Sequence, residues 1–224
     1  MHFKLIRNQF RKILRLLPLS RKLDGILGIK LLGYKHFVGG MWDAVGHLQY
    51  EFLLSEGLLP GHRLLDIGCG SLRGGRFLIS YLEPGNYMGL DKEKSLIEAG
   101  LKHEIPKGLI LEKNPEFAVS ENFDFSHFRH KPDYAIAQSL FTHLCRKDIL
   151  QCLKQLRNHV SHCRFYATFF EGESGANPKT SHSLNPFFYN KDEMQAFADD
   201  SNWSFRYLGN WNHPRGQIIV EYRC

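Results

Sequence analysis

A short apolar run, Arg63-Leu64-Leu65-Asp66-Ile67, opens into Gly68-Cys69-Gly70-Ser71-Leu72-Arg73-Gly74-Gly75 and then into a helical pattern from Arg76 to Leu82. A strand that enters a helix through a glycine turn brings backbone close to a ligand, because glycine has no Cβ to block the approach. The next apolar run, Tyr87 to Leu90, ends on Asp91. Strand, helix-length crossover and strand together predict parallel pairing, since a parallel neighbour requires a long connection.

The alternation continues along the chain. Helical patterning covers residues 41–56, 93–104, 147–160 and 191–200, with strand-like runs at 116–121, 133–138 and 163–170. Phe205 to Gly209 and Gln217 to Tyr222 are joined by a loop too short for a helix, which predicts an antiparallel hairpin at one edge. The expected fold class is therefore α/β: a seven-stranded, mostly parallel sheet with helices on both faces and an antiparallel C-terminal hairpin.

Asp91 stands 21 residues beyond Gly70 at the tip of the second strand, where a carboxylate can accept both hydroxyls of a ribose. A pyrophosphate cradle is disfavoured. Its third glycine is replaced by Arg73, and Asp66 would add negative charge beside phosphates. A ligand with a ribose, no phosphate and a positive centre removes both objections. On these residues the chain resembles the class I S-adenosylmethionine-dependent methyltransferases, whose first motif is similar to Leu65-Asp66-Ile67-Gly68-Cys69-Gly70 and whose second is similar to Gly89-Leu90-Asp91. The resemblance covers about residues 37 to 222 and implies a Rossmann-like sheet.

The resemblance implies roles residue by residue. Gly68, Cys69 and Gly70 would contact the methionine moiety of S-adenosylmethionine (SAM), Asp66 would organise its amino group, and Asp91 would hold the ribose. Asn122 and Phe123, with Asp124, occupy the place of the adenine. Gln138 in the segment Asp133 to Ser139 is counted with the cofactor residues; that segment lacks the Asn-Pro-Pro-Tyr pattern of enzymes that methylate nucleic-acid amino groups. Trp42, within Gly39 to His47, is expected to cover the methionine end, with a core-anchoring role as the alternative. Arg73 suits either the cofactor carboxylate or an acidic acceptor. The product would be S-adenosylhomocysteine (SAH), and no metal is expected.

Catalysis of methyl transfer rests on positioning, and a hydroxyl acceptor also benefits from a base. His143, just past the carboxyl end of the fourth strand, and His182, in the long loop at 172–186, are the catalytic candidates. His213 and Glu171 stand at comparable strand ends. His127-x-x-His130 and His159-x-x-His162 have ligand-like spacing but no third partner, so neither predicts a metal site.

Of the 224 residues 43% are hydrophobic, enough for one domain with a real core. No apolar stretch reaches the roughly 20 residues of a membrane span. Five cysteines without paired spacing fit a reducing compartment, and a cytoplasmic location is expected. Residues 1–35 hold nine Lys or Arg against one acid, Asp24, whereas the rest is nearly neutral, which disfavours a nucleic-acid groove across the domain. Phe3, Ile6, Phe10, Ile13, Leu14 and Leu17 fall on one helical face and Lys4, Arg7, Arg11 and Arg15 on another. Arg11, Lys12 and Arg15 interrupt any apolar core of a secretory signal, so none is expected. The division is a basic amphipathic arm, 1–35, and a SAM-dependent methyltransferase domain, 36–224. Residues 1–23 suit peripheral contact with an anionic membrane; the alternative is burial against the domain or a second subunit in a homo-oligomer.

The function expected is methyl transfer from SAM to a hydroxyl of a small molecule or glycan, with no nucleic-acid partner. The alternatives are N-methylation, or a non-catalytic cofactor-fold scaffold docking through the arm. A nicotinamide oxidoreductase is disfavoured by Asp66, Arg73 and the lack of a separate substrate domain.

Overall fold

The computed structural model describes residues 25–224, and its centre is the strand that precedes the glycine turn. The amphipathic pattern of residues 3–17, with the membrane and subunit contacts read from it, lies outside the described residues. Strand β1 (Leu64–Ile67) pairs in parallel with β2 (Tyr87–Asp91) on one side and β4 (Tyr134–Ala137) on the other. Strand β3 (Glu116–Val119) adds in parallel to β2, and β5 (Arg164–Glu171) to β4. Strand β8 (Ile218–Arg223) enters antiparallel beside β5, with β7 (Ser204–Asn210) antiparallel outside it, giving the order β3-β2-β1-β4-β5-β8-β7. This is the expected sheet, with one addition. A two-residue strand, β6 (Phe188–Tyr189), pairs with the end of β5 and makes eight. Two residues carry no periodicity, so the sequence could not announce it.

Both faces of the sheet are covered, as parallel sheets require. Strand alternation assigns the faces. Leu65 and Ile67 join a core with Ile149, Leu153 and Leu156 of α7 (Arg146–His159) and Phe197 of α8 (Lys191–Asp199). Leu64 points the other way, into a core with Leu53 of α3 (Trp42–Ser55), Ile79 of α4 (Gly75–Tyr81) and Ile97 of α5 (Lys94–His103). Asp66 shares that second face, which places it beside the Tyr87 hydroxyl. Helix α8 begins with a capping box, Asn190 and Glu193 each bonding the other's backbone N–H, so its start was readable from sequence.

Three helices escaped the periodicity. Helix α6 (Lys107–Lys113) is only seven residues long and fully buries no side chain, with Leu109 and Ile110 partly buried against the core. Helices α1 (Gly25–Leu32) and α2 (Tyr34–Phe37) fall where the arm was expected. Ile29 and Leu32 are nevertheless buried, the Tyr34 hydroxyl donates to Glu104 at 2.6 Å, and Lys35 pairs with the same carboxylate at 2.9 Å. The expected boundary between residues 35 and 36 thus falls inside α2, and the described part of the arm packs on the domain.

Candidate active site

At the carboxyl ends of the strands a cavity of about 790 Å³ is lined by the turns after β1, β2, β3 and β4, by the loop at 181–186 and by the β7–β8 connection. Ligands of open α/β sheets bind at this end, where the strand order reverses. A smaller hollow of about 330 Å³ at the opposite end, beside Asp133, His162 and Cys163, holds none of the predicted site residues.

The glycine turn forms the cavity floor. Gly68 and Gly70 have φ of +75° and +54°, a region that side chains rarely adopt, and a Cβ on either would meet Leu140 at 3.2 Å or Val38 at 3.1 Å. The turn is tied to β2 by Gly68 and Cys69 N–H groups on the Leu90 carbonyl at 2.7 and 3.1 Å. Asp91 then accepts the Gly70 N–H on Oδ2 and the Glu93 N–H on Oδ1, both at 2.8 Å. Asp91 therefore has structural duties besides any ligand contact. It has two, because its carboxylate holds the glycine turn and starts α5, although four lone-pair sites leave room for ribose hydroxyls as well.

Asp66 is buried and bonded to the Tyr87 hydroxyl at 2.8 Å. Burial pushes its pKa up to about 7 against that hydrogen bond, and the nearby Asp91 charge adds to the rise. A carboxyl so placed is poised to meet a positive group. Cys69 lies buried close to both carboxylates, and burial followed by their charges keeps its thiol protonated.

Beyond β3, Asn122 and Phe123 line the cavity, the latter with φ +57° and its ring also in the core. Gln138 faces the other half of the cavity, away from Asp91. Its side chain meets Ser139 Oγ at 2.8 Å, His213 Nε2 at 3.3 Å and Gln217 Oε1 at 3.3 Å, while its Oε1 is buried with no partner among the described residues. Buried acceptors are almost always satisfied, so this one waits for a ligand donor.

Of the two roles read for Trp42 the structure fits the core-anchoring one, with the side chain buried. It does not line the cavity; its indole donates to Glu104 at 3.0 Å, with Lys35 4.7 Å over its ring and Tyr34 edge-on at 6.0 Å. The helix start turns Trp42 outward toward α2 and α5, and Val38 and Met41 reach the cavity instead. Glu171 is also outside, where it accepts the Tyr207 hydroxyl at 3.0 Å.

His143, His182 and His213 all line the cavity. The first two are brought together by backbone, the His182 N–H donating to the His143 carbonyl at 3.1 Å. His182 Nδ1 accepts the Leu184 N–H at 3.2 Å, and His213 Nδ1 accepts the Arg215 N–H at 3.2 Å. A neutral His182 ring with Nδ1 engaged this way carries its proton on Nε2 and donates there, the wrong polarity for a base. Burial, then the charges of Arg73 and Arg215, hold His213 down at about 4, so it stays neutral. His127 pairs only with Asp124, at 3.5 Å, and no group of three or more His, Cys, Asp or Glu is placed to hold a metal among the described residues.

Arginines roof the site. Arg73 Nη1 donates to the Val38 and Gly40 carbonyls at 3.0 and 3.1 Å, and Arg215 Nη2 donates to the Gly39 carbonyl between them. Sequence reasoning missed Arg215 because nothing in the local pattern ties residue 215 to residue 39.

The sheet order and this cavity define the fold of the class I SAM-dependent methyltransferases. Among solved structures, the magnesium protoporphyrin IX methyltransferase of Synechocystis PCC 6803 with bound SAM is similar with a TM-score of 0.62 and 16% identity, over 97% of this chain and 96% of that one. A putative O-methyltransferase of Nostoc punctiforme PCC 73102 is similar at a TM-score of 0.64 and 13% identity, over 90% of this chain and 63% of that one. Human N-acetylserotonin methyltransferase in complex with SAM gives 0.63 and 10%, over 85% of this chain and 55% of that one. No family model matches the chain, and no curated protein matches its sequence. Among the described residues no helix is long and apolar enough to cross a membrane.

Proposed function

We propose that the protein is an enzyme that transfers a methyl group from SAM to an acceptor, a hydroxyl of a small molecule or glycan. The observation that carries this reading is the pairing, across one cavity, of a glycine turn that a Cβ would obstruct with two buried carboxylates, Asp66 and Asp91. This donor set suits a ligand with a ribose and an ammonium and repels phosphate. The SAM and SAH bound in similarly folded structures support the same ligand.

Bound SAM supplies a sulfonium methyl group to an in-line displacement. The residues of this chain do the rest. Asp91 holds the ribose, Asp66 faces the amino group, and the glycine turn lets backbone touch the methionine moiety. His143, which lines the cavity just past the carboxyl end of β4, accepts the acceptor's proton. An amine acceptor carries a second N–H for the buried Gln138 Oε1, so N-methylation is the second reading.

Calorimetry with SAH and with NAD tests the cofactor: SAH should bind and NAD should not, the reverse placing the chain among oxidoreductases. Labelled methyl release over hydroxyl and amine acceptors tests the reaction, and binding without any transfer would leave a non-catalytic scaffold.

A further inference from the structure

Two guanidinium groups converge on one turn of the cavity roof, and neither has a carboxylate within 4 Å among the described residues. Arg73 arrives from the glycine turn and Arg215 from the β7–β8 connection. Each uses only one terminal nitrogen on backbone carbonyls, which leaves the rest of both planar forks for a ligand. Arg73 is largely enclosed, and a charge in that position without an ionic partner is costly unless something anionic joins it. Burial and the Arg215 charge hold its pKa down at about 10.

Two anions could meet the pair, the cofactor's carboxylate and a carboxylate of the acceptor. The ribose and adenine residues cluster after β2 and β3, on one side of β1, whereas Arg215 reaches the cavity from beyond β5 and β8, the side of Gln138 and His213. Apolar side chains line the cavity as well, Phe37, Met41, Leu140, Phe170, Leu184 and Pro186, beside polar ones such as Ser139, Thr142 and Gln217.

We propose that Arg73 and Arg215 together bind a carboxylate of the methyl acceptor, an otherwise largely apolar acid, an inference that rests on the methyl-transfer reading above. The carboxylate is a handle. Held under the Val38–Gly40 turn, it fixes the acceptor so that its hydroxyl or amine meets Gln138 and His143.

The test uses the full chain saturated with SAH, so that the cofactor's own carboxylate is already placed. Benzoate, cinnamate and indole-3-acetate are titrated against their carboxamides by calorimetry and by the fluorescence of Trp211, which stacks on His213 at 5.5 Å. At least one acid should bind about tenfold or more tighter than its amide, the advantage of a charge-assisted hydrogen bond. Arg215→Gln should remove that advantage, Arg215→Lys should keep part of it, and SAH affinity in both should stay near that of the wild type. No preference for any acid in the SAH-loaded protein overturns the inference. So does an Arg215→Gln variant that loses SAH affinity as strongly as acid affinity, for then the anion held is the cofactor's. Failure of the wild type to bind SAH at all would instead sink the methyl-transfer reading on which the inference stands.

Discussion

The two ends of the sheet treat arginine in opposite ways. At the amino end, Arg164 and Arg206 each grip Glu56 and Glu221, with all four contacts at 2.6 Å, and Arg223 joins Glu221 at 2.9 Å. These bonds tie the end of α3 to β5, β7 and β8. Burial opposes the charge on Glu221, but its hydrogen bonds from Arg164, Arg223 and Arg206 outweigh it and hold the carboxyl below its ordinary value of 4.5. At the carboxyl end, Arg73 and Arg215 face a cavity and have only carbonyls as partners among the described residues. Charges matched within the chain serve stability. Charges left unmatched in a cavity serve a ligand, and a substitution at one end should not mimic one at the other.

The largest effect that sharpens this contrast is expected at the open end. His143→Ala should lower turnover by about 10²–10⁴, the usual worth of a general base, while SAH affinity and the melting temperature stay near wild type. His182→Ala should cost far less because its Nε2 donates. Turnover unchanged in His143→Ala removes the base assignment, and a joint fall in melting temperature makes the residue structural.

At the closed end, Glu221→Gln should destabilise the fold by about 3 kcal/mol, because three guanidinium groups lose the buried charge they face. SAH affinity of the folded fraction should not change. Since the folded pKa is depressed, this stabilisation is complete above the ordinary glutamate range and is lost as the pH falls through the folded value. Urea unfolding from pH 7 down to pH 3 checks the sign: the gap between wild type and variant should narrow with acid. A constant gap would show that packing, not charge, is at work.

A smaller effect concerns Asp66, whose carboxyl burial pushes up to about 7. An ammonium ligand prefers the ionised form, so SAH affinity should rise about tenfold between pH 6 and pH 8, the factor for one group titrating midway. The same raised value makes the empty protein lose stability as the pH climbs through 7. Asp66→Asn should flatten the binding profile, and an equally steep profile in that variant would assign the titration elsewhere.

The smallest effect on the cavity is expected from deleting residues 1–23, which should leave SAH affinity unchanged, because every described residue lining the cavity lies at Phe37 or beyond. Association with anionic lipid vesicles should fall, and salt should weaken it in the full chain by screening Lys4, Arg7, Arg11 and Arg15. Vesicle binding that survives the deletion would end the membrane reading. A change in oligomeric state would assign the apolar stripe to a protein contact.

Sequence by itself determined the sheet and the floor of the site, for a physical reason: both are local. Crossover length dictates parallel pairing. A glycine turn with left-handed φ has to be written as glycine, and a carboxylate at a strand tip is set by its place in the strand. Asp66, Gly68, Gly70 and Asp91 were legible on those terms. Only the tertiary structure decided what depends on direction and on distant partners. It turned Trp42 outward to Glu104, 62 residues away, and bonded Arg215 to Gly39 across 176 residues. It also set Gln138 beside His213 and Gln217, and it engaged His182 Nδ1 with the Leu184 backbone N–H. A side chain's type is local information; the side of a helix it finally faces, and the charge it meets there, are settled by packing.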